Sequence, residues 1–141
     1  MRTAVDSSVL LDVLTADRQF GEPSREALRM AYDRGALVAC EVVWAEVRAA
    51  FGDDESFGEA MRLLGVGFDP VSPEAAADAG RLWKEHRSRS SGLRTRVVAD
   101  FLVGAHARHQ AEALLTRDRG FYRLAFRDLT VLDPTARAPE R

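Results

Sequence analysis

Four acidic residues from well-separated parts of the chain have the chemistry to bind a divalent metal ion together. They are Asp6, Glu46, Asp100 and Asp118. Carboxylate oxygens are hard ligands that suit Mg²⁺ or Mn²⁺, ions that keep several waters and bind through a few carboxylates and substrate phosphate oxygens. Such ions activate water and neutralise charge on a phosphodiester under attack. If the four side chains converge, they support the hydrolysis of phosphodiester bonds.

Short apolar runs alternate with helical patterns along the whole sequence. Hydrophobic spacing predicts strands at 3–5, 36–39, 113–116 and 129–132, with a turn or edge strand at 67–71. It predicts helices at 9–14, 23–34, 41–51, 56–64, 73–87 and 97–109. Strands that alternate with helices indicate an α/β fold, a three-layer α/β/α sandwich with a mostly parallel central sheet.

The predicted topology brings the four acids to one edge of this sheet. Parallel strands end at a common edge, where the helices also present their N-termini. Asp6 directly follows the first strand, and Asp118 lies two residues beyond a later one. Asp100 is in the opening turn of the helix that leads to that later strand. Glu46 lies about 7 Å along its helix, close enough for a long side chain to reach the edge.

Each acid also has a structural interpretation when it is considered alone. Asp6 suits a helix cap, Asp118 an Asx turn, and Glu46 a solvated helix position. Asp100 is harder to explain in this way because its helical neighbours are apolar and an unpaired buried carboxylate costs several kcal/mol. Clustered carboxylates repel one another unless they share a counter-charge, and no pattern of Lys or Arg supplies one. A divalent cation therefore explains the set better than four separate caps.

Composition and charge restrict the other possibilities. The length of 141 residues suits one domain, which we expect at 1–133 with a tail at 134–141. The single cysteine, Cys40, excludes an internal disulfide. The N-terminus has no apolar targeting run and no segment is long and apolar enough to span a membrane, so we expect a soluble cytoplasmic protein without membrane contacts.

Charge is distributed unevenly along the chain. The net charge of −2 argues against indiscriminate binding of nucleic acid. Residues 81–127 nevertheless contain eleven Arg and Lys against four acids, a local charge of +7. The remaining residues carry −9, so the sequence predicts one basic region on an acidic protein.

Four segments of the sequence resemble the PIN-domain ribonucleases, and among them the VapC-like toxins of type II toxin–antitoxin systems. The segments are Val5-Asp-Ser-Ser8, Glu46 after Val42-Val-Trp44, Ala99-Asp-Phe-Leu102 and Leu115-Thr-Arg-Asp-Arg-Gly-Phe-Tyr122. The resemblance extends over nearly the whole chain in order, spacing and length. It implies a metal-dependent endoribonuclease whose acidic positions match the four acids above. It also implies an RNA substrate, inhibition by a cognate antitoxin protein, and homodimers paired through helices.

Several further residues are candidates for accessory roles. Thr116 lies on the same strand face as Asp118, so its hydroxyl could orient that carboxylate or a metal-bound water, or simply favour the strand. Ser7 and Ser8 could contact a bound phosphate, although helix capping also explains them. Four arginines in or beside the polar loop 88–96 could hold RNA phosphates or belong to a solvated loop: Arg87, Arg89, Arg94 and Arg96.

Other functions fit the sequence less well. A nucleotide-binding ATPase or kinase lacks its Gly-rich phosphate loop, and the chain has one lysine, Lys84. A phospho-aspartyl phosphatase or receiver would need a second acid where Ser8 stands. The remaining alternative is a non-catalytic PIN-like module that binds RNA or a protein partner without cleavage, and the complete set of acids argues against it.

Overall fold

Five short parallel strands form the centre of the protein in the computed structural model, which describes residues 1–89 and 97–136. They are β1 (Thr3–Val5), β2 (Leu37–Ala39), β3 (Val66–Phe68), β4 (Ala113–Leu115) and β5 (Thr130–Leu132). Their order in the sheet is β3-β2-β1-β4-β5, and every neighbouring pair is parallel. All residues of β1, β2 and β4 are buried, as expected for inner strands of a parallel sheet that is covered on both faces.

Seven helices within the same described ranges complete a three-layer α/β/α fold. They are α1 (Ser7–Leu14), α2 (Gly21–Arg34), α3 (Glu41–Arg48), α4 (Asp54–Leu64), α5 (Pro73–Arg89), α6 (Val98–Gln110) and α7 (Arg119–Ala125). The predicted fold class is confirmed. Within the described ranges, none of these helices has the length and apolarity needed to span a bilayer.

Several element boundaries differ from the prediction. Helix α3 ends at Arg48, three residues before the predicted end, and α5 continues to Arg89 into the predicted loop. The segment 67–71 does contribute the edge strand β3. The rest of the predicted loop, residues 90–96, and the tail residues 137–141 lie outside the described part of the chain.

The sequence analysis missed helix α7. The run from Arg117 to Gly120 suggested a turn, but a helix begins at Arg119. Tyr122 and Phe126, one in the helix and one at its end, are almost fully buried. Because a seven-residue helix is unstable alone, tertiary packing of these rings accounts for its formation.

Helices α5 and α6 pack closely against each other and against the core through small residues. Ala75 and Ala79 of α5 are fully buried. In α6, a Cβ added to Gly104 would lie 2.2 Å from Cε2 of Phe126. This close approach fixes the position of α6, the helix that carries Asp100 in its first turn.

Replacement of Gly104 by Ala should therefore destabilise the protein. Alanine favours a helix by about 1 kcal/mol over glycine, but overpacking a buried ring costs about 1–3 kcal/mol. We expect a net loss of about 1 kcal/mol, measured by urea unfolding. Gly80→Ala is the matched control in α5, because nothing lies within 4 Å of its added Cβ. That variant should gain stability, and a Gly104→Ala protein that gains as much would contradict the packing argument.

Candidate active site

All four predicted acids lie at the carboxyl edge of the sheet or at the helix ends that meet there. Asp6 follows β1 and caps α1, with its Oδ1 accepting the backbone N–H of Ser7 at 2.8 Å. Asp118 immediately precedes α7. Asp100 is in the first turn of α6, and Glu46 is one turn into α3, after β2. The cap role and the site position of Asp6 are therefore compatible.

A buried threonine connects two of these acids. The Thr116 hydroxyl donates to Oδ2 of Asp6 at 2.7 Å and accepts the backbone N–H of Asp118 at 3.0 Å. The sequence suggested that this hydroxyl would orient the carboxylate of Asp118. Because its one proton is directed at Asp6, Thr116 orients the carboxylate of Asp6 and the backbone of Asp118.

The two serines after Asp6 contact the acids as well. Ser8 Oγ donates to Oδ2 of Asp6 at 3.3 Å, and Ser7 Oγ donates to Oε1 of Glu46 at 3.4 Å. Ser7 thus links the start of α1 to α3. Their suggested contact with a bound phosphate stays a prediction.

Electrostatic repulsion couples the four acids. Burial raises the pKa of Asp6, hydrogen bonds from Thr116, Ser7 and Ser8 oppose the rise, and the charge of Asp118 adds to it. Burial also raises the pKa of Glu46, followed by repulsion from Asp6 and then from Asp100. The charge of Asp118 therefore acts on Asp6, and the charges of Asp6 and Asp100 act on Glu46, which makes this edge a negative site.

The donor set fits a hard divalent cation by its chemistry. Within residues 1–89 and 97–136, no three Asp, Glu, His or Cys side chains form a ready-made metal cluster. The available donors are carboxylate oxygens, the ligands that Mg²⁺ and Mn²⁺ prefer. Repulsion from Asp6 and Asp100 contributes to the raised pKa of Glu46, and a cation bound between these carboxylates would relieve that repulsion.

Arginines on both sides of Asp118 contact acids outside this group. Arg117 forms two hydrogen bonds with Asp12 of α1, and Arg119 Nε lies 3.3 Å from Oδ2 of Asp133. The sequence analysis assigned no role to these residues. The sequence contained two signals for these contacts. Asp12 interrupts the apolar run of α1, and Asp133 directly follows a strand, as Asp6 does.

The predicted RNA-binding arginines can be placed only in part. Arg87 stacks on Trp83, with its guanidinium carbon 4.2 Å from the ring centroid. Arg89 lines a pocket of about 250 Å³ between α5, α6 and α7, together with Phe101 and Phe121. These rings follow Asp100 and Asp118 closely in sequence, so the pocket adjoins the helix ends that carry the two acids. Arg94 and Arg96 lie outside the described residues.

Comparison with known protein families identifies the class of protein to which this fold belongs. The model of the family described as "PIN domain" matches residues 3–127. The chain therefore belongs to the PIN domain family. The comparison with curated proteins found no match.

Solved structures of similar fold include several toxin–antitoxin complexes. VapBC2 from Rickettsia felis, bound to a DNA fragment from its promoter, is 16% identical with a TM-score of 0.70, covering 94% of this chain and 98% of that one. FitAB bound to a DNA fragment is 17% identical with a TM-score of 0.69 and 99% coverage of both chains. VapBC-1 from nontypeable Haemophilus influenzae is 18% identical with a TM-score of 0.69, covering 96% of this chain and 100% of that one.

The pKa of Glu46 predicts how stability depends on pH. Its folded pKa is raised, so the fold binds this proton more tightly than the unfolded chain does. The charged carboxylate therefore destabilises the fold as pH rises through the raised pKa, and this cost is absent below the ordinary value of 4.5. In metal-free buffer, Glu46→Gln should raise the melting temperature slightly at about pH 7 and have little effect at about pH 4.

Glu112→Gln provides the comparison for this measurement, because Glu112 is an exposed residue away from the acidic edge. We expect its melting temperature to follow that of the unmodified protein at both pH values. A lower melting temperature for Glu46→Gln at neutral pH would show that Glu46 stabilises the metal-free fold, contrary to the electrostatic argument.

Proposed function

We propose that this protein is a divalent-metal-dependent endoribonuclease in which Asp6, Glu46, Asp100 and Asp118 hold Mg²⁺ or Mn²⁺. The observation that carries the proposal is the link from Asp6 to Asp118 through Thr116 and to Glu46 through Ser7, at the carboxyl edge of a PIN-domain sheet. The charge of Asp100 also acts on Glu46. Membership of the PIN domain family over residues 3–127 supports it. Among the solved structures of similar fold is VapC20 of Mycobacterium tuberculosis, described as a toxin that cleaves the sarcin–ricin loop, with a TM-score of 0.55.

The residues of the site have different roles in the proposed hydrolysis. A divalent ion held by these carboxylates would supply the Lewis acid that activates water and neutralises charge on the scissile phosphate. Thr116 and Ser8 keep the Asp6 carboxylate oriented toward the site through their hydrogen bonds. Glu46 is exposed and would complete the carboxylate set that holds the ion, directly or through a water molecule. The resemblance to PIN-domain ribonucleases implies cleavage products with 5′-phosphate and 3′-hydroxyl ends.

An RNA substrate agrees with the charge distribution. The basic stretch 81–127 includes the end of α5 as well as two of the four acids. The α5 end lies beside the start of α6, since the His86 ring is 5.4 Å from the Phe101 ring. Arg87 and Arg89 therefore belong to the same end of the molecule as Asp100 and can hold phosphates that flank the cleaved bond. Arg94 and Arg96 complete this proposed set from outside the described residues.

The proposal includes a protein partner. Solved structures of similar fold from Rickettsia, Haemophilus and Klebsiella are toxin–antitoxin complexes. We propose that this chain is likewise the toxin of such a pair, held inactive by a cognate antitoxin, and that it forms homodimers in the cytoplasm, where its RNA substrate is. Residues 1–133 would form the nuclease domain and 134–141 its tail.

Loss of a single carboxylate should abolish cleavage without loss of the fold. Asp100→Asn and Asp118→Asn keep the side-chain shape and remove one negative ligand, so we expect cleavage of RNA to fall by at least about a hundredfold. Cleavage is measured by sequencing the ends of the fragments that the purified protein produces. Asp128→Asn removes an exposed carboxylate from the turn after α7 and should cut at the normal rate. Full activity in both site variants would refute the assignment.

Metal binding should stabilise the native protein. An ion that binds only the folded state raises the free energy of unfolding by about 2.7 kcal/mol when its concentration is a hundred times its dissociation constant. We expect Mg²⁺ and Mn²⁺ to raise the melting temperature, EDTA to reverse the rise, and Asp118→Asn to reduce it. A melting temperature that does not respond to either ion would favour a PIN-like module that binds RNA or protein without cleavage.

A further inference from the structure

An ion pair anchors the residue between Thr116 and Asp118. Arg117 Nε donates to Oδ2 of Asp12 at 2.6 Å, and its Nη2 donates to Oδ1 at 3.0 Å. The Asp12 side chain is 5% exposed, and the two residues are 105 positions apart. The contact is thus a two-point guanidinium–carboxylate pair that connects the loop after β4 to the middle of α1.

Two more residues complete the surroundings of this pair. Ser24 Oγ of α2 donates to Oδ2 of Asp12 at 2.8 Å. The Phe20 ring packs against Arg117, with the guanidinium carbon 4.1 Å from the ring centroid. The pair therefore joins three parts of the fold, which are α1, the start of α2 and the loop that contains Asp118.

This ion pair, in which the Asp12 carboxylate is buried and Arg117 is partly exposed, is better explained by its effect on geometry than by its effect on stability. Charges that leave water lose hydration, so a buried pair often stabilises a fold no more than apolar side chains of similar volume do. A guanidinium that binds both oxygens of a carboxylate is also fixed in direction, which a single contact does not achieve. The clearest effect of the pair is to hold the backbone at residue 117 in one position.

That backbone position sets the geometry of the acidic site. Asp6 caps the N-terminus of α1, and Asp12 lies further along the same helix. Thr116 bonds to Asp6 and Arg117 to Asp12, so two successive residues attach the loop to one rigid helix. Asp118 is the next residue in the chain. Its distance from Asp6 is therefore determined by these two attachments.

We infer that Arg117 and Asp12 are positioning residues that hold Asp118 in register with Asp6. The inference rests on the proposed function, in which these two acids share a divalent ion. It assigns Arg117 a role different from that of an RNA-binding arginine, because the edge formed by Nε and Nη2 is engaged by Asp12. Groups that orient metal ligands in this way typically change metal affinity or activity by about 10- to 100-fold when they are lost.

The test replaces both charges, because removal of Arg117 alone would leave the buried Asp12 carboxylate without its counter-charge and could unfold the protein. The double variant Asp12→Leu/Arg117→Met fills the same space with apolar groups, but the Ser24 hydroxyl loses its acceptor, so we expect the protein to fold with a modestly lower melting temperature. We expect its affinity for Mn²⁺, measured by calorimetry, and its kcat for RNA cleavage each to fall by about 10- to 100-fold. The KM for RNA should change little.

A second measurement is independent of both metal and activity. The backbone N–H of Asp118, which donates to Thr116 Oγ1, should exchange with solvent at least about tenfold faster in the double variant, as observed by NMR. The matched control is Arg108→Met/Asp128→Leu, which removes a pair with Nε 3.2 Å from Oδ2 of an exposed acid, together with a longer contact of Arg108 with Asp78. It should leave Mn²⁺ affinity, cleavage and the exchange of Asp118 unchanged.

The outcomes separate the inference from the proposed function. If the unmodified protein binds Mn²⁺ and cleaves RNA, and the double variant does both equally well, the positioning role is wrong and the nuclease stands. An increase in KM alone would make Arg117 a phosphate contact and also overturn the inference. If the unmodified protein neither binds the ion nor cleaves RNA, the proposed function fails, and unchanged exchange at Asp118 would then overturn the positioning role as well.

Discussion

Repulsion among carboxylates at the carboxyl edge of the sheet is the interaction around which the rest of this site is arranged. Asp6 is buried next to the charge of Asp118, and Glu46 is near both Asp6 and Asp100. Such an arrangement raises the free energy of the metal-free protein, so other contacts must hold it. The Thr116 hydroxyl and the cap at the start of α1 supply hydrogen bonds that favour the charged form of Asp6. These hydrogen bonds hold Asp6 in place, and the remaining repulsion is the part that a bound cation would relieve.

The core of the fold provides the rigidity that this arrangement needs. The inner strands are only three residues long, yet their ends determine where Asp6 and Asp118 leave the sheet. Close packing of Gly104 on Phe126 locates α6 and therefore Asp100. The pair of Arg117 and Asp12 adds a second polar attachment of the loop after β4, next to the one that Thr116 makes with Asp6. Apolar packing thus positions the elements, and the polar contacts set the orientation of individual side chains.

Family membership and the local chemistry support the same interpretation from different directions. The PIN domain match establishes the relationship without reference to any single side chain. The geometry of Asp6, Thr116 and Asp118 describes the site without reference to other proteins. The similar solved structures are less than 20% identical to this chain, so they establish the fold, and the toxin role remains the proposal made above.

Much of the architecture could be predicted from local patterns. The apolar run before Asp6 and the spacing in 97–109 predicted β1 and α6 because strand and helix periodicity depends on nearby residues. The common edge of parallel strands then predicted where the four acids would meet. Helix α7 escaped prediction, since its formation depends on burial of Tyr122 and Phe126 in a core built from other segments.

The contacts that orient the side chains of the site could not be predicted from these local patterns. The sequence alone determined the α/β fold class and predicted that four acids would converge at one edge of its sheet. The direction of the Thr116 proton and the pairing of Arg117 with Asp12 emerged only in the folded molecule. The reason is physical, because helix and strand formation depends on neighbours in the chain, whereas a bond between side chains 105 positions apart depends on how packed elements bring their atoms within 3 Å.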